Sequence, residues 1–203
     1  MDEIVLVIIF KLNSACYSGM INFGGVILEF EIKIHEHLFG DERPFNNCHA
    51  STLILLPSDE ILVAYFGGTE EGNDDVAIWY SRRRGGRWSS PLKAADIKGI
   101  PHWNPVLYRE EDGTIYLFYK VGHKIPQWRT MLITSRDNGQ TWSESKELVE
   151  GDRGGRGPVK NKLIRLSNGT WLAPASVEGE YWNAFTDSSF DRGKTWIIKK
   201  LIR

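Results

Sequence analysis

The stretch Ser135-Arg-Asp-Asn-Gly-Gln-Thr-Trp142 decides the fold, because it occurs twice more without gaps. The other copies are Ser189-Phe-Asp-Arg-Gly-Lys-Thr-Trp196 and a looser Ser81-Arg-Arg-Arg-Gly-Gly-Arg-Trp88, where Arg83 replaces the Asp and Arg87 the Thr. Their tryptophans, Trp88, Trp142 and Trp196, are evenly spaced, the two steps being equal in length. A fixed period of this kind marks a repeated supersecondary unit. Within each copy, the Ser and Asp side chains can satisfy turn backbone groups and the Gly can take a positive φ. The Trp can pack between sheets, so Trp142 and Trp196 are expected in equivalent buried places. These are structural duties. Asp137 and Asp191 are therefore not read as catalytic.

Outward from the box, each repeat shows two apolar runs around a polar turn. They are 52–66 around Ser58-Asp59-Glu60, 105–121 around Glu111-Asp112-Gly113 and 162–177 around Ser167-Asn168-Gly169. This is a β-hairpin pattern. A third apolar run leads into each box, at 76–80, 130–134 and 183–187, and a fourth follows the tryptophan. No stretch sustains a 3.6-residue period, so little helix is expected. Four antiparallel strands per repeat make one blade of a β-propeller. Strands are predicted near 50–56, 61–66, 76–81 and 88–93, then again one and two periods further on. The blades fall at about 45–98, 99–152 and 153–203, within a domain over 41–203. Residues 1–40 read as an N-terminal extension, with a strand where 28–34 alternates apolar and polar.

Composition narrows the function classes. The 203 residues are 41% hydrophobic and include 8 Trp, 7 Tyr and 9 Phe, enough apolar surface for a core. Charged residues at 25% exclude a disordered chain. With 25 Lys+Arg against 26 Asp+Glu, no global basic excess points to a nucleic-acid partner. Cys16 and Cys48 are too few for a disulfide framework and lack metal-site spacing. His35-x-His37 has no third ligand nearby, so neither metal nor cofactor is expected. The apolar run 4–10 is far too short for a membrane span. Asp2 and Glu3 occupy the place a signal peptide keeps basic, and 12–16 gives Cys16 only a weak lipoprotein-like setting. The compartment stays open.

Antiparallel strands alternate direction, so successive connections alternate between two rims. The turn after the first strand shares one rim with the box. The opposite rim collects the segments leading into each first strand and the loops between second and third strands. The lead-in segments are Asn47-Cys48-His49, His102-Trp103-Asn104 and 156–162; the inner loops are 69–75, 122–129 and 178–182. Loops on a rigid scaffold are where sites are built. Here Trp103, Trp128 and Trp182 offer flat faces to sugar rings, while Asn47, Asn104 and Asn161 can bond hydroxyls. Glu71, Asp74, Asp75 and Glu178 are carboxylates of the kind glycoside hydrolysis uses. Arg156, Lys160 and Lys162 form a basic cluster suited to an anionic sugar. The bland alternatives stand beside these: each Trp can equally pack between blades, and Lys160 and Lys162 can equally be solvated surface.

The repeated turn is similar to the Asp box, or BNR repeat, of the sialidase superfamily. The stretches 46–52, 66–72, His102-Trp-Asn-Pro105, 157–162 and Ser176-Val-Glu178 resemble a BNR-repeat sialidase-like group, over residues 45–203. The resemblance implies an all-β, partial six-bladed β-propeller of about three blades. Six blades of this period need far more than 203 residues, so an incomplete propeller is expected, with self-assembly into a ring the less favoured alternative. It implies hydrolysis of an anionic glycan of sialic-acid or uronate type. Sialidases hold the substrate carboxylate with three arginines and use a Tyr, assisted by a Glu, as nucleophile, with an Asp as acid/base. Asp74 or Asp75 matches that Asp by blade position, and Glu178 matches the Glu. The Arg-Ile-Pro motif expected at the first strand is replaced by Asn47-Cys48-His49, with Arg43-Pro44 lying too early. The remaining arginines and the Tyr have no counterpart in these blades, so the chain alone is expected to be inactive. Two alternatives stay open. One is a polysaccharide lyase in which His49 or His102 moves a proton alpha to a carboxylate; the other is a non-catalytic carbohydrate-binding propeller.

Overall fold

The computed structural model describes residues 18–23, 26–31, 35–159, 161–178 and 181–202. The chain divides into two compact units, Met1–Glu42 and Arg43–Arg203. In the first, β1 (Ser18–Phe23) and β2 (Val26–Glu31) form an antiparallel hairpin, with Ser18 opposite Glu31. The strand expected over 28–34 thus begins earlier, at Val26. Residues 32–34, the apolar run 4–10 and Cys16 lie outside the described residues.

The second unit is three antiparallel sheets in chain order. The first comprises β3 (Asn47–Leu55), β4 (Ile61–Gly68), β5 (Ala77–Arg84) and β6 (Arg87–Trp88), with β7 (Leu92–Ala95) also paired to β5. The second comprises β8 (His102–Arg109), β9 (Ile115–Val121), β10 (Arg129–Ser135) and β11 (Lys146–Glu147). The third comprises β12 (Ile164–Arg165), β13 (Trp171–Glu178), β14 (Trp182–Ser189) and β15 (Ile197–Ile202). Helix among the described residues is confined to two single 3-10 turns, Pro57–Asp59 and Ile125–Gln127. The fold is all-β, three consecutive propeller blades.

The first strands of blades one and two share a defect. Register with the second strand shifts between His49 and Thr52, and again between Trp103 and Val106. At the kinks Ala50 (φ 54°) and Asn104 (φ 43°) take left-handed backbone. The matching position in blade three is Pro158, whose ring locks φ at a negative value and forbids that conformation. The left-handed residue there is Gly157 (φ 74°) instead. The regular part of this first strand shrinks to Ile164–Arg165, at the end of the span the repeat predicts.

The two full boxes close the same turn. Asp137 accepts bonds from the Gln140 N–H (3.0 Å), the Thr141 N–H (2.9 Å) and the Thr141 hydroxyl (2.6 Å). Ser135 Oγ donates to Asp137 and accepts from the Gly139 N–H, both at 2.7 Å. Asp191, Ser189, Gly193 and Thr195 repeat this set. Donors from Thr141 hold the Asp137 carboxyl far below the usual carboxylate range, and those from Thr195 hold Asp191 at about 2. In blade one Arg83 has no acceptor to offer. The turn is a two-residue hairpin instead, with Gly85 (φ 56°) and Gly86 (φ 78°) both left-handed.

Burial follows the period of two along β9. Its odd residues Ile115, Leu117, Tyr119 and Val121 pack with Leu62, Ala64, Phe66, Ile78 and Tyr80 of blade one. Its even residue Phe118, with Tyr116 against the cluster, packs with Trp171, Ala173 and Trp196 of blade three. Each box tryptophan meets the preceding blade: Trp142 sets its edge on Tyr80 (5.9 Å) and Trp196 on Phe118 (6.3 Å). Their places are equivalent but not equally deep. Trp196 is buried, whereas Trp142 is half-buried and its enclosed indole N–H has no acceptor among the described residues.

Trp171 anchors the second seam. It is fully buried, sets its rings at 5.0 Å from Tyr108 and 4.9 Å from Tyr116, and donates from Nε1 to Glu110 at 2.7 Å. Denaturant unfolding should therefore show Trp171→Ala losing about 3–5 kcal/mol. Trp182→Ala, at a residue 74% exposed, should lose under about 0.5 kcal/mol.

Candidate functional site

Strand pairing fixes the two rims. One holds the ends where Asn47 faces Gly68, His102 faces Val121, Arg129 faces Val121 and Trp182 faces Glu178. The other holds the pairs Leu55–Ile61, Arg84–Arg87, Arg109–Ile115 and Trp171–Ser189, together with the boxes. The His102 N–H donates to the Val76 carbonyl at 3.1 Å, which joins the first rim across blades one and two.

The inner loop of blade one is tied by its own side chains. Asp75 accepts from both the N–H and the hydroxyl of Thr69, each at 3.0 Å. Asn73 donates to the Thr69 hydroxyl (3.0 Å), and Asn47 donates to the Thr69 carbonyl (3.3 Å). Gly72 lies over Trp103, since a Cβ there would stand 3.4 Å from the indole. Trp103 in turn stacks on Trp128 at 5.2 Å, and both indoles donate to the Gly122 carbonyl, at 2.9 and 3.0 Å. Trp103 is thus a half-buried pillar and Trp128 a buried one. Above them Asp74 is exposed and meets Nε2 of His123, from the inner loop of blade two, at 2.8 Å. Glu71 is exposed beside it in the chain.

The other expected site residues differ in exposure. His49 is half-buried with its ring 5.6 Å from Phe66, and Asn104 is half-buried at the bulge. Asn161 is exposed, and Trp182 and Tyr181 are exposed at 74% and 73%. Lys160 lies outside the described residues, and so does the side chain of Glu178.

His102 is a correction to the sequence reading. It is fully buried, stacked 5.5 Å from Tyr119, with Nδ1 2.9 Å from the Val76 carbonyl and Nε2 accepting the Ile97 N–H at 3.1 Å. Burial lowers its pKa, so the ring is neutral and both nitrogens are committed. It bridges the backbone of Val76 and Ile97 at the seam.

Arg156 and Lys162, two of the expected cations, bond to other parts of the chain. Arg156 grips Asp187 with Nε and Nη2, at 2.8 and 2.9 Å, and the Gly157 N–H adds a third bond to that buried carboxylate. Lys162 reaches across the inner strands to the Thr52 hydroxyl (3.1 Å) and the Leu107 carbonyl (2.9 Å). Burial of that ammonium pushes its pKa down to about 8, although the residue as a whole remains exposed. A third cation escaped the sequence reading. Lys120, only 1% exposed, donates to the Thr130 hydroxyl (2.6 Å) and the carbonyls of Gly155 (2.7 Å) and Arg156 (2.9 Å). A lysine inside Ile115-Tyr-Leu-Phe-Tyr-Lys-Val121 was the available signal.

The BNR repeat-like domain family matches residues 59–203, and the chain belongs to that family. No curated protein matches the chain in sequence. Its fold is similar to that of a Hadza microbial sialidase, with a TM-score of 0.65 and 20% identity over 82% of this chain and 39% of that one. The NanB sialidase of Streptococcus pneumoniae gives 0.65 and 12% over 83% and 46%. Trypanosoma rangeli sialidase gives 0.60 and 15% over 98% and 36%. The chain therefore spans less than half the length of each of these structures, and identities this low speak for fold alone.

Lys120 gives the second seam a measurable pH signature. Desolvation lowers its pKa to about 7, with Asp152 and Asp187 opposing that fall. Above that value the folded chain has released a proton that the unfolded chain keeps up to the ordinary lysine range. Stability should thus rise with pH from about 7 toward that range. The difference in Tm between the native chain and Lys120→Met should grow in favour of the native chain across this window. A pH-independent difference would contradict it.

Proposed function

We propose that this BNR repeat-like chain forms the sugar-binding part of a sialidase-like glycoside hydrolase, with Asp74 as the acid/base carboxylate. The observation that carries the reading is the setting of Asp74. It is open to solvent, stands on a loop braced from Thr69 and Asn47, and is linked at 2.8 Å to His123 of the next blade. A proton-transfer group must be both reachable and held in place. Asp75 spends both oxygens on Thr69, which suits a loop brace better than a catalyst. Glu178, at the rim end of β13, is our candidate for the partner of the nucleophile. The exposed Trp182 offers a stacking face, with Asn161 on a neighbouring segment as a hydroxyl partner.

The substrate's charge is the finer part of the proposal. With Arg156 and Lys162 bonded to other parts of the chain, the braced loop presents Glu71 and Asp74 beside His123. Such a surface suits sugar hydroxyls. The carboxylate of a sialic-acid or uronate-type glycan would then be held by groups from further blades, in the same polypeptide or a second chain. A lyase mechanism would have to rely on His49, because both ring nitrogens of His102 are engaged by backbone groups.

Saturation-transfer NMR with sialyllactose tests the binding part. Weak binding is expected, reduced about threefold to tenfold by Trp182→Ala. Binding that this substitution leaves unchanged would contradict the platform. A fluorogenic sialoside tests the division of labour: the 203-residue chain should give no appreciable turnover. Turnover abolished by Asp74→Asn would show that three blades suffice and overturn the division.

A further inference from the structure

Blade one departs from the other two at its box, and the departure concentrates charge on one face of its sheet. The two-residue hairpin sets Arg84 directly opposite Arg87. Alternation along β5 adds Arg82 to that face, while Arg83 and its partner Trp88 belong to the other. Like charges directly opposite each other on paired strands are destabilising, so this turn calls for a counter-charge.

Glu60 supplies part of it. Its carboxylate takes Arg82 Nη1 at 3.1 Å and Arg84 Nε at 2.7 Å. Arg82 also donates to the Asn138 carbonyl of the second box, which fixes its guanidinium between the blades. Arg84 is 73% exposed along its side chain and engages Glu60 through Nε alone. Its two terminal nitrogens, and the whole guanidinium of Arg87, have no partner among the described residues. Three guanidiniums therefore share one carboxylate, which leaves an excess of two positive charges. They line an open cleft of about 360 Å³ with Ser89 and with Gln140 of the second box.

We propose that this cleft binds one free tetrahedral dianion, inorganic phosphate or sulfate, through its oxygens alone. The charge of such an ion matches the excess. Its oxygens point in several directions, so guanidinium forks arriving from β5 and from β6 can each meet an edge of it, whereas a carboxylate offers two oxygens in one plane. The cleft is open on its outer side, so the ion keeps part of its hydration there and recognition stops at the ion. Seated between Arg84 and Arg87, it would relieve their repulsion and join them to Arg82, already tied to the second blade. Further round the same rim Arg165 meets Glu110 and Glu111, and Arg192 meets Asp112. A long polyanion would run from the cleft onto these carboxylates, whereas a single ion would not. The cleft lies on the rim opposite Asp74 and does not depend on the reading of that site.

Titration calorimetry and arginine-detected NMR on the full chain, at constant ionic strength, test the proposal. The probes are inorganic phosphate, inorganic sulfate, glucose 6-phosphate and methyl sulfate, which keeps the tetrahedral head with one charge fewer. Phosphate and sulfate should bind with Kd of about 1 mM, and binding should weaken with added sodium chloride. Glucose 6-phosphate should match phosphate within about threefold, because no contact to the ring is expected. Methyl sulfate should bind at least about threefold more weakly than sulfate. The double variant Arg84→Gln, Arg87→Gln should lose at least about tenfold in affinity, while Arg136→Gln, at the matching box position of blade two, changes nothing. At about ten times its Kd, phosphate should raise the Tm of the native chain by about 3–6 °C over chloride of equal ionic strength, and leave that of the double variant unmoved. Equal binding of methyl sulfate and sulfate, undiminished binding by the double variant, or equal loss in Arg136→Gln would each overturn the proposal. So would glucose 6-phosphate binding more than about threefold tighter than phosphate, or an equal rise in Tm in the double variant.

Discussion

Strand β9 is buried on both of its faces, and the rest of the second unit is arranged to keep it so. A sheet with two apolar faces is soluble only between two other sheets. Blade one covers the face of Ile115, Leu117, Tyr119 and Val121, and blade three covers that of Phe118. The repeat is thus more than a copy number: one blade in isolation would expose what its neighbours hide. In blade three Ile164, Val177, Ile197 and Ile198 are about half exposed.

The two seams share a design and differ in chemistry. Each is apolar toward the boxes and polar where it meets the loop-bearing rim. In the first, a neutral His102 bridges Val76 and Ile97. In the second, Lys120, Arg156 and Asp187 interlock with the carbonyls of Gly155 and Arg156. Burying these charges is costly and tolerable only because each finds several partners. The benefit is positional. The lead-in segments are set by bonds at the seams, and Asp74 meets His123 from a loop braced by Asp75 on Thr69.

Much of this was legible from spacing. The even step from Trp88 to Trp142 to Trp196 locates all three blades, and the box pattern identifies which Asp residues are structural. Side-chain direction at the lead-in segments was not. The bulge at Asn104 reverses parity along β8, so that His102 and Leu107 both face blade one although an odd number of positions separates them. A regular strand would have sent them to opposite faces, whereas the sequence placed His102 on the rim only as part of the segment leading into the second blade. Pro158, standing where Ala50 and Asn104 stand, does announce that blade three differs. What it could not announce is that Arg156, just before the left-handed Gly157, would fold onto Asp187. The Gly85-Gly86 pair signals a tight hairpin in place of a box, yet only the pairing shows Arg84 facing Arg87.

Native-state hydrogen exchange tests the central role of the doubly buried strand most directly. Amides of β9 should exchange only through global unfolding, at least about tenfold more slowly than those of β15, which is paired on one side only. Exchange in β9 as fast as in β15, or three blades each opening independently of the others, would contradict the account.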